Sequence, residues 1–479
     1  MTYDVVVVGG GPVGVVTGMM CARRGLRTVV LEKTTEVYDL PRAIVMDDEI
    51  QRALWLNGAA DGLAEVTSPL AGAEFVDVHG TRIIGFEIPE GIEFPLSFPP
   101  VVRYYQPDLE HVLRRCAVAS GAELLLGAEV AEVAVHDGGA VTTLSDGRRF
   151  EGRWLVAADG AASPIRKSLG VAFESQGFDQ DWLVIDVRLH DGAEPSLPRL
   201  VQQLCDPARP ATYVPGHGPY RRWEFQLQEG ETRESMTMPA RVWELLSPWL
   251  TESDADIVRA VVYRFHATVA TAMRSGPVFL AGDAAHQMPP FLGQGLCSGV
   301  RDAANLAWKL QMVAAGQAGD TLLDTYDTER RPHAAGVVAH AVDTGRLIDQ
   351  LAGRGGEQQS LDSAYGGQRP FPRLEAGFLA GDGPLTGRQM ANVALLTGGR
   401  LDSMVADGFA VVVDDPERFT GAALDRWRAL GAAVVHSTAL APFGIEGAIV
   451  VRPDRYVASL SADPAQFEQH THQLMEHLA

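Results

Sequence analysis

The stretch Tyr3-Asp4-Val5-Val6-Val7-Val8-Gly9-Gly10-Gly11-Pro12-Val13-Gly14 decides the fold class of this chain. Four consecutive β-branched valines, too short a run for a helix core, predict a buried parallel strand. Gly9, Gly11 and Gly14 then fall at the G-x-G-x-x-G spacing. In that pattern the first glycine permits a tight turn, the second lets the backbone approach a pyrophosphate, and the third allows close packing of helix on strand. A helix follows through Arg24 and stops at Gly25, and Pro12 is counted with the glycines among the expected cofactor-binding residues. A second strand, Thr28-Val29-Val30-Leu31, ends on Glu32 and Lys33, and an acid here is where the adenosine ribose of a dinucleotide is gripped. Strand, turn, helix, strand and acid in this order predict an α/β dinucleotide-binding unit.

Two later segments repeat the grammar. Val278-Phe279-Leu280-Ala281-Gly282-Asp283 reads as a buried strand running into an acid, followed by the loop Pro289-Pro290-Phe291-Leu292-Gly293-Gln294-Gly295 and a helix through Leu310. Asp283, at the carboxyl end of a strand, can accept a hydrogen bond from a ribityl hydroxyl. The free N–H groups of the helix opened by Gly293–Gly295 can face a flavin pyrimidine or a phosphate. Trp154-Leu155-Val156-Ala157-Ala158-Asp159-Gly160 is the third strand-then-acid segment and leads to Ser163-Pro164-Ile165-Arg166. Each alone could be a plain turn between strand and helix; three in this order point to FAD rather than to a nicotinamide as the resident dinucleotide.

On these residues the chain resembles the single-component (class A) flavoprotein aromatic hydroxylases, which have the para-hydroxybenzoate hydroxylase-like fold. Their glycine fingerprint, Asp-Gly motif and Gly-Asp motif correspond to Gly9–Gly14, Asp159–Arg166 and Gly282–Gly295. Pro41-Arg42-Ala43 and the run Leu323–His333 agree as well. Met46-Asp47-Asp48-Glu49, Arg222-Trp223-Glu224-Phe225 and Gly295-Leu296-Cys297-Ser298-Gly299 look most like the 3-(3-hydroxyphenyl)propionate hydroxylase and phenol hydroxylase branch. Cys297 departs from the Asn of many relatives, which weakens any flavin contact carried over to that side chain. The likeness is strong from Met1 to about Leu347 and weak beyond.

The resemblance implies a Rossmann-like FAD-binding domain with an inserted β-sheet substrate domain and a C-terminal thioredoxin-like domain. It implies an FAD-dependent monooxygenase that hydroxylates a phenolic substrate through a flavin C4a-hydroperoxide, with non-covalent FAD and with NADPH or NADH and O2 as co-substrates. Carried over residue by residue, it sets Glu32 and Lys33 at the adenosine end, and Arg42 and Gln106 at the ribityl or phosphate region. Asp283 meets the ribityl chain or pyrophosphate, and Pro290, Gly293, Gly295 and Leu296 lie near the isoalloxazine ring. Arg103 is either a further FAD contact or a surface salt bridge. Asp159 serves both the FAD side and the nicotinamide path, and Arg166 either shares that path or makes a structural ion pair.

A chain of 479 residues, 46% hydrophobic and 21% charged, is long enough for two or three domains with substantial cores. A formal charge of −21 argues against nucleic acid or an anionic membrane as partner, since both need a basic face. The four cysteines, Cys21, Cys116, Cys205 and Cys297, show neither C-x-x-C nor metal-ligand spacing, so no metal site is expected and buried free thiols are. Met1 leads straight into the first strand, and no apolar stretch approaches the ~20 residues of a membrane helix. A cytoplasmic protein with a small-molecule phenolic partner is the expectation, with a homodimer as the candidate assembly.

The FAD domain is expected from three pieces, 1–74, 101–180 and 271–348, with 75–100 and 181–270 forming the β-sheet that roofs the flavin. Residues 354–383 read as a linker dense in Gly, Gln, Pro and Ser. In 384–479, the strands Phe409–Asp414, Ala432–His436 and Gly447–Asp454 and a helix near Ala465–Leu478 match the thioredoxin-like pattern. Without C-x-x-C that domain is redox-silent and serves packing or subunit contact.

Period-two alternation puts Arg222, Glu224 and Gln226 on one strand face and Trp223 and Phe225 on the other. In the resembling family that strand face looks at flavin and substrate, which makes Arg222 and Gln226 the first catalytic candidates; the alternative is a solvated polar face. His217 is a weaker candidate in the turn Pro215–Pro219, where a surface histidine is the competing reading. His286 either approaches the flavin or is structural, and Met46, Asp47, Tyr104 and Tyr105 are candidate pocket residues. No catalytic base is named. Against the phenol hydroxylase reading stand a hydroxylase of larger phenolic natural products, a flavin reductase or dehydrogenase, and a non-catalytic flavin-binding module. A halogenase is disfavoured by the lack of W-x-W-x-I-P.

Overall fold

Val5–Val8 pair in parallel with Thr28–Leu31 on one side and with Trp154–Ala157 on the other, so the valine run occupies the centre of a sheet. The computed structural model describes residues 2–39, 41–193, 195–353, 372–405, 407–437 and 446–479. The first sheet has eight strands, with Val278–Leu280, Arg149–Ala157, Thr2–Val8, Thr28–Glu32 and Glu123–Leu126 side by side. Val278–Leu280 runs parallel to Leu155–Ala157. The three strand-then-glycine or strand-then-acid motifs therefore end at the same edge of neighbouring parallel strands, where α/β sheets bind ligands. Val5, Val6 and Val7 are fully buried, as are Leu155, Val156, Phe279 and the helical Val16 and Met19.

The second sheet also has eight strands, ordered His286–Gln287, Ala255–Ala270, Phe173–Leu189, Tyr220–Gln226, Ala211–Pro215, Val201–Leu204, Gly72–Val76 and Arg82–Glu87. Its spine is the antiparallel pair Phe173–Leu189 and Ala255–Ala270. Because both are long continuous strands, the sheet does not stop at the expected boundaries. Phe173–Leu189 straddles residue 180, and His286–Gln287 joins from within 271–348. Trp223 and Phe225 enter a core with Leu183, Ile185, Val242 and Leu246, which fixes the strand Tyr220–Gln226 with its polar face opposite. The helix Thr321–Leu351 supports the other side, packing Val338 and Val342 on Phe178, Ala267 and Val269.

At the C-terminal end, Ala433–His436, Ala410–Val413, Ala448–Val451 and Val457–Ser461 form a four-stranded sheet. The first pair is parallel and the other two are antiparallel. Val457–Ser461 was not anticipated from the sequence. The unit is joined to the rest through buried ion pairs: Arg52 and Arg455 both reach Asp402 (2.8 and 2.9 Å), and Arg452 and Lys309 both reach Glu329 (2.8 Å each). Trp308 packs edge-on against Phe378 and Phe409. Of the expected linker 354–383, residues 354–371 lie outside the described residues. The remainder is not a free tether, since Leu374 and Phe378 are buried and the Phe378 N–H donates to Glu329 (2.8 Å). All four cysteines are free, and only Cys116 is not buried. Among the described residues no helix is long and apolar enough to cross a membrane.

Candidate active site

The turn after the first strand is built by close approach. Gly9 has φ +105°, and a Cβ there would stand 2.2 Å from the Ala158 carbonyl oxygen; a Cβ on Gly14 would stand 1.9 Å from that of Gly9. A Cβ on Gly11 would meet nothing within 4 Å. Packing thus excludes side chains at the outer two positions, while the middle one borders open space. That space lies over the N-terminus of the helix Pro12–Arg23, which no side chain caps. Free N–H groups and the positive end of the helix dipole make it a place for an anion. The Glu32 carboxylate is buried and already held, accepting from the Gly10 N–H (2.5 Å) and from the Thr34 N–H and hydroxyl (2.8 and 2.9 Å). Its first task is to fix the turn. Lys33 is exposed beside it.

A cavity of about 1550 Å³ extends from this turn to the second sheet. It is bordered by Gly11, Pro12, Arg42, Gln106 and Asp283 and by the loop residues Pro290, Gly293, Gly295 and Leu296. Arg222 and Glu224 line it from the second sheet. Of the residues singled out from the sequence, Glu32, Lys33, Arg103, Asp159, His217 and Gln226 are not part of its lining.

Asp283 follows the strand Val278–Leu280 and opens into the cavity, solvent-accessible and with no hydrogen-bond partner among the described residues. The protein around it pushes its pKa up, against the pull of Arg42 and His286. The helix Gly295–Ala314 begins alongside without a side-chain cap, after Gly293 at φ +65°. A lone carboxylate between two uncapped helix N-termini matches a ligand with hydroxyls and an anionic or polar end, so the donors and acceptors present fit FAD. His286 is buried and held through Nε2 by Asp302 (2.7 Å), which also accepts from Arg330 (2.9 Å) and the Gly282 N–H (3.0 Å). Burial opposes the ionised form of Asp302, but His286 and Arg330 hold it below the usual carboxylate range.

The side chains singled out from the sequence take the following protein partners. The Gln106 side chain is committed to the protein: its oxygen accepts from the Arg42 and Ala43 N–H groups (2.7 Å each), and its amide donates to Glu110 (2.7 Å). It shapes the Arg42 loop and also borders the cavity. Arg103 makes no salt bridge among the described residues; it donates to the Ser68 hydroxyl (3.0 Å), which in turn meets Nδ1 of His217 (3.0 Å). His217 is therefore half-buried in a structural chain, with its pKa lowered by burial and by Arg103. Asp159 accepts from the Ile165 N–H (3.3 Å), and Arg166 donates to the carbonyls of Ala161 (3.3 Å) and Ala284 (3.2 Å) while lying 3.6 Å over Phe173. Met46, Asp47 and Tyr104 are buried outside the cavity lining, and Tyr105 stacks on Tyr220 at 3.8 Å.

The polar face of Tyr220–Gln226 is not solvated: Arg222, Glu224 and Gln226 are all buried. Four of the five N–H groups of Arg222 are engaged, with Asp186 (2.7 and 3.1 Å) and with the carbonyls of Arg42 (2.6 Å) and Pro41 (2.9 Å), which makes it a positioning residue for the Arg42 loop. Gln226 is buried away from the cavity. The sequence reading missed Asp186, Arg259 and Tyr263, which form one network with Arg222: Arg259 meets Asp186 at 2.7 Å and donates to the Tyr263 hydroxyl at 3.0 Å. Only the pairing of Phe173–Leu189 with both neighbouring strands brings them together, and no local pattern announces that. Glu224 was legible on the Arg222 face but was passed over.

Comparison with known proteins adds four findings. The family model described as FAD binding domain matches residues 2–341. A probable NADH-specific resorcinol 4-hydroxylase of Rhodococcus jostii (strain RHA1) is 34% identical over 88% of this chain and 81% of that protein. A 3-(3-hydroxy-phenyl)propionate/3-hydroxycinnamic acid hydroxylase of Mycobacterium sp. (strain JLS) is 33% identical over 90% of this chain and 80% of its own. Among solved structures, the ternary complex of aklavinone-11 hydroxylase with FAD and aklavinone superposes with a TM-score of 0.81 at 25% identity, covering 99% of both chains.

Proposed function

The chain belongs to the FAD-binding-domain family and, within it, to the flavoprotein aromatic hydroxylases; from this we propose that it is an FAD-dependent monooxygenase that adds one hydroxyl group to a phenolic ring at the expense of NADH or NADPH and O2. The observation that carries the reading is the single cavity joining an uncapped glycine turn, the unpartnered Asp283 and the buried polar strand around Glu224. Bound FAD supplies the hydride acceptance and oxygen activation that side chains lack.

The residues have the following tasks in this reading. The N-termini at Pro12 and Gly295 receive the pyrophosphate and the polar edge of the flavin. Asp283 accepts from the ribityl chain, with Arg42 opposite. Glu32 fixes the Gly10 turn and offers its remaining lone pairs to the ribose. The second sheet closes the far wall, orients the ring and keeps water out, which is what transfer of oxygen to carbon requires of the protein.

In the same reading the FAD domain is drawn from the expected pieces 1–74, 101–180 and 271–348 less the strands Gly72–Val76, Phe173–Leu189 and His286–Gln287, which belong with the sheet of the substrate domain. The C-terminal unit is thioredoxin-like and redox-silent. Among the described residues its order of strand, helix, strand, strand, strand, helix, with one parallel and two antiparallel pairings, supports that description.

The test is purification followed by heat release of the flavin, then a panel of phenols scored for stimulation of NADH or NADPH oxidation, with mass spectrometry of the products. FAD release and a product heavier by one oxygen are expected. FMN in place of FAD, or NADH oxidation that yields only peroxide with every phenol, would remove the hydroxylase reading and leave a reductase or a flavin-binding module.

A further inference from the structure

Glu224 lines the cavity, 5% exposed, between Val184 and Thr212 of the adjacent strands. The Thr212 hydroxyl donates to Gln203 (2.6 Å) and so is not available to it. The nearest cation, Arg222, lies at 3.8 Å, beyond hydrogen-bond range, with its N–H groups directed to Asp186 and to the carbonyls of Pro41 and Arg42. Arg259 is likewise engaged with Asp186 and Tyr263. Glu224 thus borders the cavity as a buried carboxyl with no hydrogen-bond donor among the described residues. Leaving such a group unmatched is costly, and a ligand hydroxyl removes the cost.

We infer, building on the hydroxylase reading, that Glu224 accepts the proton of the substrate's phenolic hydroxyl and that the site takes an uncharged phenol in preference to an aryl carboxylate. In the step, the ring O–H bond breaks, an O–H bond forms on a Glu224 oxygen, and the electron pair stays on the ring oxygen, which becomes phenolate. Once Glu224 has taken the proton, Arg222 and Arg259 outweigh the single negative charge of Asp186 between them and leave a net positive charge in the wall to balance the phenolate. Burial raises the pKa of Glu224, Arg222 and Arg259 oppose this and Asp186 adds to it, which brings the carboxyl closer to a phenol as a proton acceptor. The charged and titratable groups facing it are Arg222 on its own strand, Asp186 on Phe173–Leu189, and Arg259 and Tyr263 on Ala255–Ala270.

The charge of the substrate follows from the same wall. An aryl carboxylate would set a second anion near Glu224, where like charges repel in a low dielectric. Among the described residues, each arginine of the second sheet that lines the cavity is already paired: Arg222 and Arg259 with Asp186, and Arg264 with Asp179. Arg42, the other arginine of the cavity, acts on Asp283.

The test titrates the FAD-loaded enzyme with resorcinol, resorcinol dimethyl ether and 3-(3-hydroxyphenyl)propionate, following the perturbation of the flavin absorbance, in wild type, Glu224→Gln and Glu224→Asp. The wild type is expected to bind resorcinol at least tenfold more tightly than the ether, and more tightly than the propionate. Glu224→Gln should lose most of the first preference, a change of about tenfold or more, while Glu224→Asp keeps part of it. The pH profile of hydroxylation should fall on the acid side as Glu224 protonates, and this limb should be missing in Glu224→Gln. A preference for resorcinol over its ether that survives intact in Glu224→Gln overturns the assignment of Glu224. Tighter binding of the propionate by the wild type overturns the uncharged-substrate claim. Wild type that responds to no phenol removes the hydroxylase reading and this inference together, whereas phenol binding indifferent to Glu224 removes only the inference.

Discussion

Arg222 donates from Nη1 to the carbonyl oxygen of Arg42 at 2.6 Å, so a strand of the second sheet holds a loop that lies 180 residues earlier in sequence and lines the same cavity. The guanidinium is the link: two N–H groups bind Asp186, and two more bind the carbonyls of Pro41 and Arg42. Arg222→Met should cost roughly 3–5 kcal/mol of stability, because it leaves a buried carboxylate with half its partners. Arg222→Lys keeps the charge but not the planar fork, so its effect should be intermediate. Urea denaturation measures both. An Arg222→Met protein with wild-type stability would show that the network is not what holds the two sheets in register.

The Asp283 carboxylate has no protein hydrogen bond to lose, which separates its effect on the cofactor from any effect on the fold. Asp283→Ala should weaken FAD binding by about 1.5–3 kcal/mol, the range for a hydrogen bond to a charged group. The thermal stability of the apoprotein should be unchanged, since the side chain is solvent-accessible and makes no hydrogen bond among the described residues. Fluorescence titration of apoprotein with FAD gives the affinity. Unchanged affinity would take Asp283 out of the cofactor contacts.

Acid should loosen the C-terminal unit through Glu329. Burial works against its charge, yet Arg452, Lys309 and Asn305 overcome this and hold its pKa at about 2, below the ordinary 4.5. Lys309 is drawn down to about 8 because burial and Arg452 act against its own charge, so the acid limb belongs to Glu329 and not to the lysine. A carboxyl with a lowered folded pKa contributes its full stability above about 4.5 and loses it as pH falls toward 2. Unfolding midpoints measured from pH 6 down to about 2.5 should therefore fall more steeply in the wild type than in Glu329→Gln. Parallel slopes would exclude this carboxylate as the acid-sensitive joint.

The parts of this molecule written in short patterns were legible in the sequence. Val5–Val8, the Gly9–Gly14 spacing and Asp283 at a strand end are local, and each needs only neighbours within a turn or a strand. The alternation of Trp223 and Phe225 with Arg222 and Glu224 was also legible, but not what the polar face meets. That depended on Asp186 and Arg259, which arrive on strands far away in sequence. The protein partners of Arg103, Gln106 and His217 were not legible for the same reason: Ser68 and Glu110 are supplied by tertiary packing. The joint of the C-terminal unit was invisible too, since Asp402, Glu329 and Asp454 look like ordinary surface acids until the arginines close on them.

The glycine turn yields the sharpest contrast between fold and cofactor. Gly14→Ala must drive a methyl group to 1.9 Å from the Gly9 oxygen, and Gly9→Ala one to 2.2 Å from the Ala158 oxygen at a φ of +105°. Neither neighbour is a flexible side-chain end, so helix and strand must part; a loss of about 3 kcal/mol or more is expected, with little soluble protein. Gly11 differs in kind. Its backbone, at φ −71° and ψ 179°, suits any residue, and its Cβ would point into open space. Gly11→Ala should therefore fold with a stability change of no more than about 1 kcal/mol, the scale of an N-cap replacement. Its methyl would occupy the space that a pyrophosphate needs to reach the N–H groups of the first helix turn, so FAD affinity should drop at least tenfold. Thermal unfolding of the apoprotein and FAD titration of the same sample measure the two effects separately. A Gly11→Ala protein that binds FAD as tightly as the wild type would mean that the pyrophosphate does not run over this glycine.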